Sequence, residues 1–250
     1  MNITLLPSLS TVGIIFACLL LALPLRDFPQ RLLKQPMNGS IEQSVCVTLH
    51  LVFNLLALVM LTLQMNLLPI LFVQAFAASA LIMARMGANI PFSEQSANCA
   101  LKKFLTDQSL LFVVAIGVFF ATGTFKITDV FEHPKFLFAD LPLLLVALLV
   151  ILYSMGKPES EVAVFSGPML ALVELAQCYR KAFLLLFAGL FFAHNLLWAV
   201  VAAVLIYLLV ALSDRIPFGS AWRVKFAWSW GYVFFACGLN LTWVYLKYWL

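Results

Sequence analysis

The sequence feature that most limits the possible folds is the stretch from Ala182 to Leu212, which carries no Asp, Glu, Lys or Arg. As one helix it would be about 46 Å long, beyond the roughly 30 Å of a bilayer's hydrocarbon core. His194-Asn195 offers a break between two shorter spans. Backbone groups in lipid must be bonded internally, and the apolar stretches lack the period-two alternation of barrel strands. They are therefore predicted to be membrane-spanning helices.

Composition extends this prediction to the whole chain. Of 250 residues, 64% are hydrophobic and 10% are charged, whereas a soluble domain has about 25% charged residues. The predicted fold class is all-α: a polytopic membrane protein forming a single integral membrane domain over residues 1–250, with about eight transmembrane helices plus a short amphipathic surface helix. The predicted spans are Leu9 to Leu25, Val45 to Leu63, Leu67 to Met83, Leu110 to Thr124, Leu141 to Met155, Ala182 to Ala193, Leu196 to Leu212 and Phe226 to Leu246.

The distribution of basic residues predicts the topology. With eight helices and both termini outside, every Lys and Arg lies on the cytoplasmic side except Lys126, Lys135 and Lys247. Cytoplasmic loops of membrane proteins carry such an excess of basic residues. If Ala182 to Leu212 were one span, there would be seven helices and a weaker bias. Eight helices are predicted, with seven as the alternative.

The stretch from Gly156 to Lys181 is the most prominent polar stretch between two apolar ones. It begins with a short acidic loop that contains Glu159 and Glu161. Polar residues then follow at spacings of three and four, which places them on one helical face: Glu174, Gln177 and Lys181. This pattern predicts an amphipathic helix along the membrane surface, where the chain can meet a partner outside the bilayer.

Six charged residues are candidates for partner docking or for a proton path: Glu159, Glu161, Glu174, Arg85, Asp107 and Asp214. The glutamates equally fit a solvated loop and helix face. Arg85 and Asp214 fall at predicted helix ends, from which their side chains could extend to the headgroup layer. Three amides fall within spans, where such side chains usually cross-link helices: Asn54, Gln74 and Asn240.

Several functional classes have no signature in the sequence. The five cysteines stand far apart without a C-x-x-C pair, and the three histidines are scattered, so neither a metal site nor a catalytic site is predicted. Motifs for a zinc protease, a hydrolase or magnesium-diphosphate chemistry are missing. No stretch combines basic and aromatic residues as a nucleic-acid site would. No internal repeat of the transporter kind is evident.

The order of short motifs resembles one family over nearly the whole chain. The motifs are Leu25-Arg26-Asp27-Phe28 with Leu32-Leu33-Lys34-Gln35, Pro91-Phe92, Ile127-Thr128-Asp129 with His133, Met155-Gly156-Lys157-Pro158 leading to Phe165-Ser166-Gly167, and Ala211-Leu212-Ser213-Asp214. They resemble the membrane subunit shared by formate hydrogenlyase (its subunit 4), energy-converting group 4 [NiFe]-hydrogenases and respiratory complex I (its subunit 1). Compared with that family, the acidic loop is shortened to Glu159 and Glu161, and Val164 precedes Phe165.

The resemblance implies a non-catalytic membrane-anchoring subunit in a prokaryotic cytoplasmic (inner) membrane. Such a subunit docks a cytoplasmic hydrogenase-like or dehydrogenase-like arm with iron–sulfur clusters, and it links this arm to antiporter-like subunits that translocate protons or other ions. The resemblance implies no cofactor in this chain, and the iron–sulfur clusters and any NiFe centre belong to the partners. The alternative is a stand-alone permease, which should show several mid-span charges or broken helices. A lipid-modifying enzyme is the third interpretation.

Overall fold

The structure is a computed structural model that describes residues 40–88, 93–155, 165, 167–215 and 221–249. The predicted first span, Leu9 to Leu25, lies outside the described residues, as do Glu159 and Glu161. The spans predicted from Val45 to Leu63 and from Leu67 to Met83 leave a short turn between them at Gln64-Met65-Asn66, which lies within the described residues.

The described residues are helical apart from their connections and one isolated antiparallel bridge between Asn66 and Lys126. This confirms the all-α class for this part of the chain. A 3-10 turn, Leu190–Phe192, directly follows the helix Gly167–Gly189. In chain order the helices are α1 Ile41–Thr62, α2 Leu67–Met86, α3 Ser93–Thr122, α4 Ile127–Glu132, α5 Leu137–Asp140, α6 Pro142–Met155, α7 Gly167–Gly189, α8 Leu196–Arg215 and α9 Ala221–Trp249.

Within the described residues, four helical segments are long and apolar enough to cross a membrane: α1, α2, α3 and Gly167–Phe192. Shorter apolar helical segments lie in α6, α8 and α9, at Pro142–Leu152, Leu196–Val210 and Val233–Lys247. Eight spans would require these three segments and Leu9 to Leu25 as well. The number eight therefore stays a prediction.

The helix ends follow local side-chain chemistry. The Ser40 side chain accepts a hydrogen bond from Gln43 N at 3.1 Å and so caps the start of α1. Gln64 adopts a positive φ of 55° in the turn after α1. Asn66 Oδ1 then accepts from Leu68 N at 3.1 Å, at the start of α2. The short turn predicted at Gln64-Met65-Asn66 is confirmed.

Between the spans predicted from Leu67 to Met83 and from Leu110 to Thr124, the sequence predicts a polar connection from Arg85 to Asp107. This prediction is largely wrong. From Ser93 onward these residues are helical, and they continue without a break into the predicted span as the 30 residues of α3. No Gly or Pro interrupts Ser93 to Asp107, so the backbone can stay helical while the side chains are polar. The polar side chains of this stretch therefore do not indicate a break in the helix.

The separate surface helix around Glu174 is also wrong. The 23 residues of α7 form one helix from Gly167 to Gly189, joining the predicted surface helix to the span predicted to begin at Ala182. No Gly or Pro lies between Pro168 and Gly189, so nothing in the sequence turns the chain between the polar and apolar halves. The polar stripe of Glu174, Gln177 and Lys181 is half-buried.

The break predicted at His194-Asn195 is confirmed. After the 3-10 turn, Ala193 is extended, with φ −128° and ψ 142°. Asn195 Oδ1 accepts a hydrogen bond from Trp198 N at 2.9 Å and so caps α8. The uncharged stretch from Ala182 to Leu212 is thus divided between two helices.

The chain divides into two compact units. Unit 1 comprises Met1–Met65, Pro69–Leu105 and Pro158–Phe183, and unit 2 comprises Asn66–Leu68, Thr106–Lys157 and Leu184–Leu250. Unit 1 contains a core cluster drawn from α1, α2, Phe165 and α7: Val47, Leu81, Ala84, Ala88, Phe165, Met169 and Val173. In unit 2, α6 packs against α9. Each unit therefore contains buried packing between helices that are distant in sequence.

Candidate functional site

Arg85 is the most deeply buried of the charged candidates in unit 1. It lies in the last turn of α2, where a cation is favoured by the helix dipole. Only 2% of the residue is exposed, and Nη1 donates a hydrogen bond to Ser96 O of α3 at 3.4 Å. The guanidinium is thus buried and bonded to a neighbouring helix. Its hydrogen bond joins the end of α2 to the first turn of α3.

Phe165, which follows the predicted acidic loop in sequence, belongs to the buried core of unit 1. It is 3% exposed and belongs to the core cluster, together with Ala84 and Ala88, which flank Arg85 in sequence. Sequence analysis singled out Phe165 as part of the Phe165-Ser166-Gly167 motif. In the structure, Phe165 packs in the core cluster with residues of α1, α2 and α7. In sequence, Glu159 and Glu161 are therefore followed closely by a buried residue.

Glu174 lies on α7 directly after Val173, a member of the core cluster. Its side chain is half-buried, which corrects the expectation of a solvated face on a surface helix. The structure thus places Arg85 and Glu174 in unit 1, on helices that share one core cluster.

Asp107 and Asp214 belong to unit 2. Asp107 was expected in a polar connection, but it lies within α3 and is fully buried. A carboxylate inside a candidate span is costly and commonly functional. Asp214 lies in the last turn of α8, and its side chain is outside the described part of the structure. Of the six candidates, only Arg85, Asp107 and Glu174 therefore have described side chains.

Sequence reasoning missed a buried ion pair in unit 2. Lys247 Nζ lies 2.6 Å from Asp140 Oδ1, and the Asp140 side chain is only 2% exposed. Asn240 Nδ2 donates to Asp140 O at 3.0 Å, and Asn240 Oδ1 accepts from Leu143 N at 3.1 Å. The cross-linking role predicted for Asn240 is confirmed. The pairing of Asp140 with Lys247 had no sequence signal, because 107 residues separate them.

A second polar cluster lies in unit 1, where α1 meets α2. His50 Nδ1 lies 2.8 Å from Ala77 O, and Asn54 Nδ2 donates to His50 O at 2.8 Å. His50, and not Asn54, thus makes the bond between the two helices. The cross-linking role predicted for Asn54 is not seen within the part of the chain that the structure describes, since its contacts are with His50 of the same helix. Among the described residues, no three His, Cys, Asp or Glu side chains are grouped to hold a metal ion.

Comparison with known proteins identifies the fold. No family model matches the chain, and no curated protein matches it. Among solved structures, the chain is similar to a chain in the structure of the membrane-bound sulfane sulfur reductase (MBS), an archaeal respiratory membrane complex. The TM-score is 0.62 at 19% sequence identity, and the match covers 93% of this chain and 94% of that chain.

At this identity the similarity shows a shared fold over nearly the full length of both chains. The apolar helices and this fold make the chain a membrane protein. The similarity does not single out formate hydrogenlyase or the group 4 hydrogenases.

Proposed function

We propose that this chain is a membrane subunit of a respiratory complex. The observation that carries the proposal is the shared fold with a chain of an archaeal respiratory membrane complex, which extends over 93% of this chain. The missing catalytic motifs in the sequence fit a subunit that anchors others. In this proposal the subunit docks a cytoplasmic hydrogenase-like or dehydrogenase-like arm that carries the iron–sulfur clusters. It also links this arm to antiporter-like membrane subunits.

The surface proposed for docking is the acidic loop together with the end of α2. Phe165, which follows the predicted loop in sequence, is buried in one core cluster with Ala84 and Ala88, so the chain has a fixed point there. A loop anchored in this way costs less conformational entropy when it binds a partner than a fully free one. Glu159 and Glu161 then supply the negative charge that a basic or N–H-rich partner surface would recognise.

The first test is purification of the tagged chain from its native membranes in mild detergent. The proposal expects iron–sulfur proteins and antiporter-like membrane proteins to co-purify in fixed proportion, with visible absorbance from the clusters. A monodisperse, thermally stable chain that purifies alone and carries a small molecule would contradict the proposal and favour the permease. Asp107, a carboxylate buried in a span, is the observation that keeps the permease as a second candidate.

The docking surface is tested by replacing Glu159 and Glu161 together with Lys. A close charge pair at an interface is worth about 1.5 to 7 kcal/mol, and reversing its sign should release the arm while the membrane part still assembles. Glu132→Lys is a matched control, because Glu132 is an exposed residue of α4 in unit 2. Double replacement by Gln separates docking from a proton path, since Gln keeps the shape without a titratable proton. If the complex with both Lys replacements stays intact and still couples electron transfer to ion translocation, neither docking nor a proton path can be assigned to Glu159 and Glu161.

The topology proposed for this subunit has both termini outside the cytoplasm. It is the arrangement that places most basic residues inside. A reporter active only in the cytoplasm, fused after Leu250, should stay inactive, whereas the same reporter fused within the loop at Ser160 should be active. Activity after Leu250 would favour the seven-helix arrangement instead.

A further inference from the structure

Three polar side chains lie buried within the two candidate spans of unit 1 that the short turn joins. His50 and Asn54 of α1 are 1% and 0% exposed, and Gln74 of α2 is 3% exposed. Consecutive helices joined by so short a turn run antiparallel. The contact between His50 and Ala77 shows that these two residues lie at the same level. Asn54 is four residues after His50 on α1, and Gln74 is three residues before Ala77 on the antiparallel α2, so each lies about one turn further in the same direction. Asn54 and Gln74 therefore lie at about the same depth, one turn from His50.

The hydrogen bonds define which atom of His50 takes a proton. His50 Nδ1 lies 2.8 Å from Ala77 O, which can only accept, and 3.2 Å from Asn54 Nδ2, which can only donate. The shorter contact assigns the hydrogen on Nδ1 to the bond with Ala77 O. In the neutral ring the lone pair is then on Nε2, which becomes the basic atom. Asn54 Nδ2 donates to His50 O at 2.8 Å, and this bond fixes the orientation of the Asn54 amide.

The two amides keep complementary hydrogen-bonding capacity in the interior. Asn54 Oδ1 accepts no hydrogen bond from any residue that the structure describes, and Gln74 Nε2 donates none to those residues. One atom is an acceptor and the other a donor, and both are buried inside a candidate span. Native proteins commonly satisfy such groups with an ordered internal water. One water can accept from Gln74 Nε2 and donate to Asn54 Oδ1.

We propose that His50, Asn54 and Gln74 form a water-binding site inside unit 1, with His50 Nε2 as its proton acceptor. The ligand is a water molecule that hydrates the interior and exchanges protons with the imidazole. An ionisable residue in a span that is bonded to a neighbouring helix and accompanied by amides fits such a site. The site does not depend on the docking proposal, because it requires no partner subunit.

The charged and titratable surroundings of the site come from two helices. α2 contributes Arg85, nearly three turns from Gln74 toward the far end of the helix. α7, which shares the core cluster with α1 and α2, carries half-buried titratable side chains within unit 1: Glu174, Cys178, Tyr179, Arg180 and Lys181. Among the described residues, these groups are the other titratable side chains on the helices that share the core cluster with α1, and α1 itself carries Glu42 and Cys46.

The test is hydrogen–deuterium exchange at the Cε1 carbon of histidine, followed by mass spectrometry in membranes that contain the full chain. Exchange at this carbon runs through the protonated ring and needs water, so it reports both parts of the proposal. The chain has three histidines, and His194 is exposed, which supplies an internal standard. We expect His50 to exchange measurably during the time in which His194 exchanges completely.

Two variants sharpen the test. Gln74→Leu and Asn54→Leu each remove one water-binding group and should slow exchange at His50 roughly tenfold. Gln95→Leu is the matched control, because it makes the same chemical change at an exposed position of α3 in unit 1 and should leave the rate unchanged. Exchange at His194 in each variant shows that the labelling conditions are equal, and thermal unfolding in detergent shows that each variant is folded.

Two results would overturn the proposal. If His50 in the unmodified chain does not exchange while His194 does, His50 is a dry structural cross-link between α1 and α2. If His50 exchanges but both Leu variants keep its rate, water reaches the ring without the two amides. Because the measurement uses no partner protein, failure of the docking proposal would leave it unchanged.

Discussion

Units 1 and 2 each contain a buried polar cluster, and the two clusters use their hydrogen-bonding atoms differently. In unit 2, the Asn240 amide forms hydrogen bonds with two backbone groups: it donates to Asp140 O at 3.0 Å and accepts from Leu143 N at 3.1 Å. In unit 1, Asn54 bonds only within its own helix, to His50 O at 2.8 Å. Its Oδ1 and the Gln74 Nε2 have no hydrogen-bond partner among the described residues.

The difference separates a structural clamp from a site with unused chemical capacity. A buried amide that is fully bonded to protein adds rigidity and fixes which helices pack together. A buried amide with an unused atom lowers stability unless something else binds it. The unit 2 cluster therefore holds α9 against the segment before α6, and the unit 1 cluster is the place to look for a small polar ligand.

The largest expected effect tests how tightly unit 2 is built. A Cβ added at Gly189 would lie 2.2 Å from Ala199 O, a backbone atom that cannot rotate away. Gly189→Ala should therefore destabilise the chain by about 3 kcal/mol, measured as thermal unfolding in detergent. Gly238→Ala is the control, because nothing lies within 4 Å of its added Cβ. Equal melting temperatures for the two variants would contradict close packing at Gly189.

The second prediction concerns the clamp itself. Asn240→Leu removes the bonds to Asp140 O and Leu143 N and should cost about 2 kcal/mol, since each buried backbone group left unsatisfied costs roughly 1 to 3 kcal/mol. The same unfolding measurement applies. Asn98→Leu, at an exposed position of α3, is the control and should change stability by less than about 0.5 kcal/mol. A loss equal to that of the control would show that Asn240 is not a clamp.

The helical class and the break at Asn195 were predictable because they depend on local sequence. An apolar stretch too long for one span, with an N-cap residue inside it, leaves few alternatives. The connections were less predictable for a physical reason. The residues from Ser93 to Asp107 and around Glu174 are polar, but contain no helix-breaking residue. Protein can bury a polar helical face that an isolated helix would expose to water.

The partners of the candidate site residues could not be predicted in the same way, because they lie far away in the sequence. The burial of Arg85 results from its bond to Ser96 O on the next helix, and the pairing of Asp140 with Lys247 joins positions far apart in the chain. Phe165 was found through its motif, but its packing beside Ala84 and Ala88 was not. Sequence patterns identified which residues to examine, whereas their partners required three-dimensional packing.

A smaller effect is expected for the ion pair in unit 2. The Lys247 side chain is 37% exposed while that of Asp140 is 2% exposed, so water and salt screen one half of the pair. A double-mutant cycle of Asp140→Asn and Lys247→Met should give a coupling energy of about 1 kcal/mol that decreases at high salt. A coupling that is zero at low salt would leave Asn240 as the principal element of the clamp.

The smallest expected effect sharpens the comparison most, because it uses the same chemical change in the other unit. Gln74→Leu replaces a buried amide in a candidate span by an apolar side chain, as Asn240→Leu does. Gln74 Nε2, however, donates no hydrogen bond to a described residue. Replacing Gln74 therefore leaves no described acceptor without the hydrogen bond that this atom would have donated. Losing the proposed water costs its hydrogen bonds, but releasing it returns up to about 2 kcal/mol of entropy. We therefore expect a stability change within about 0.5 kcal/mol, measured by the same thermal unfolding, although His50 exchange slows. A loss as large as that of Asn240→Leu would mean that both clusters are clamps, and the distinction between the two units would fail.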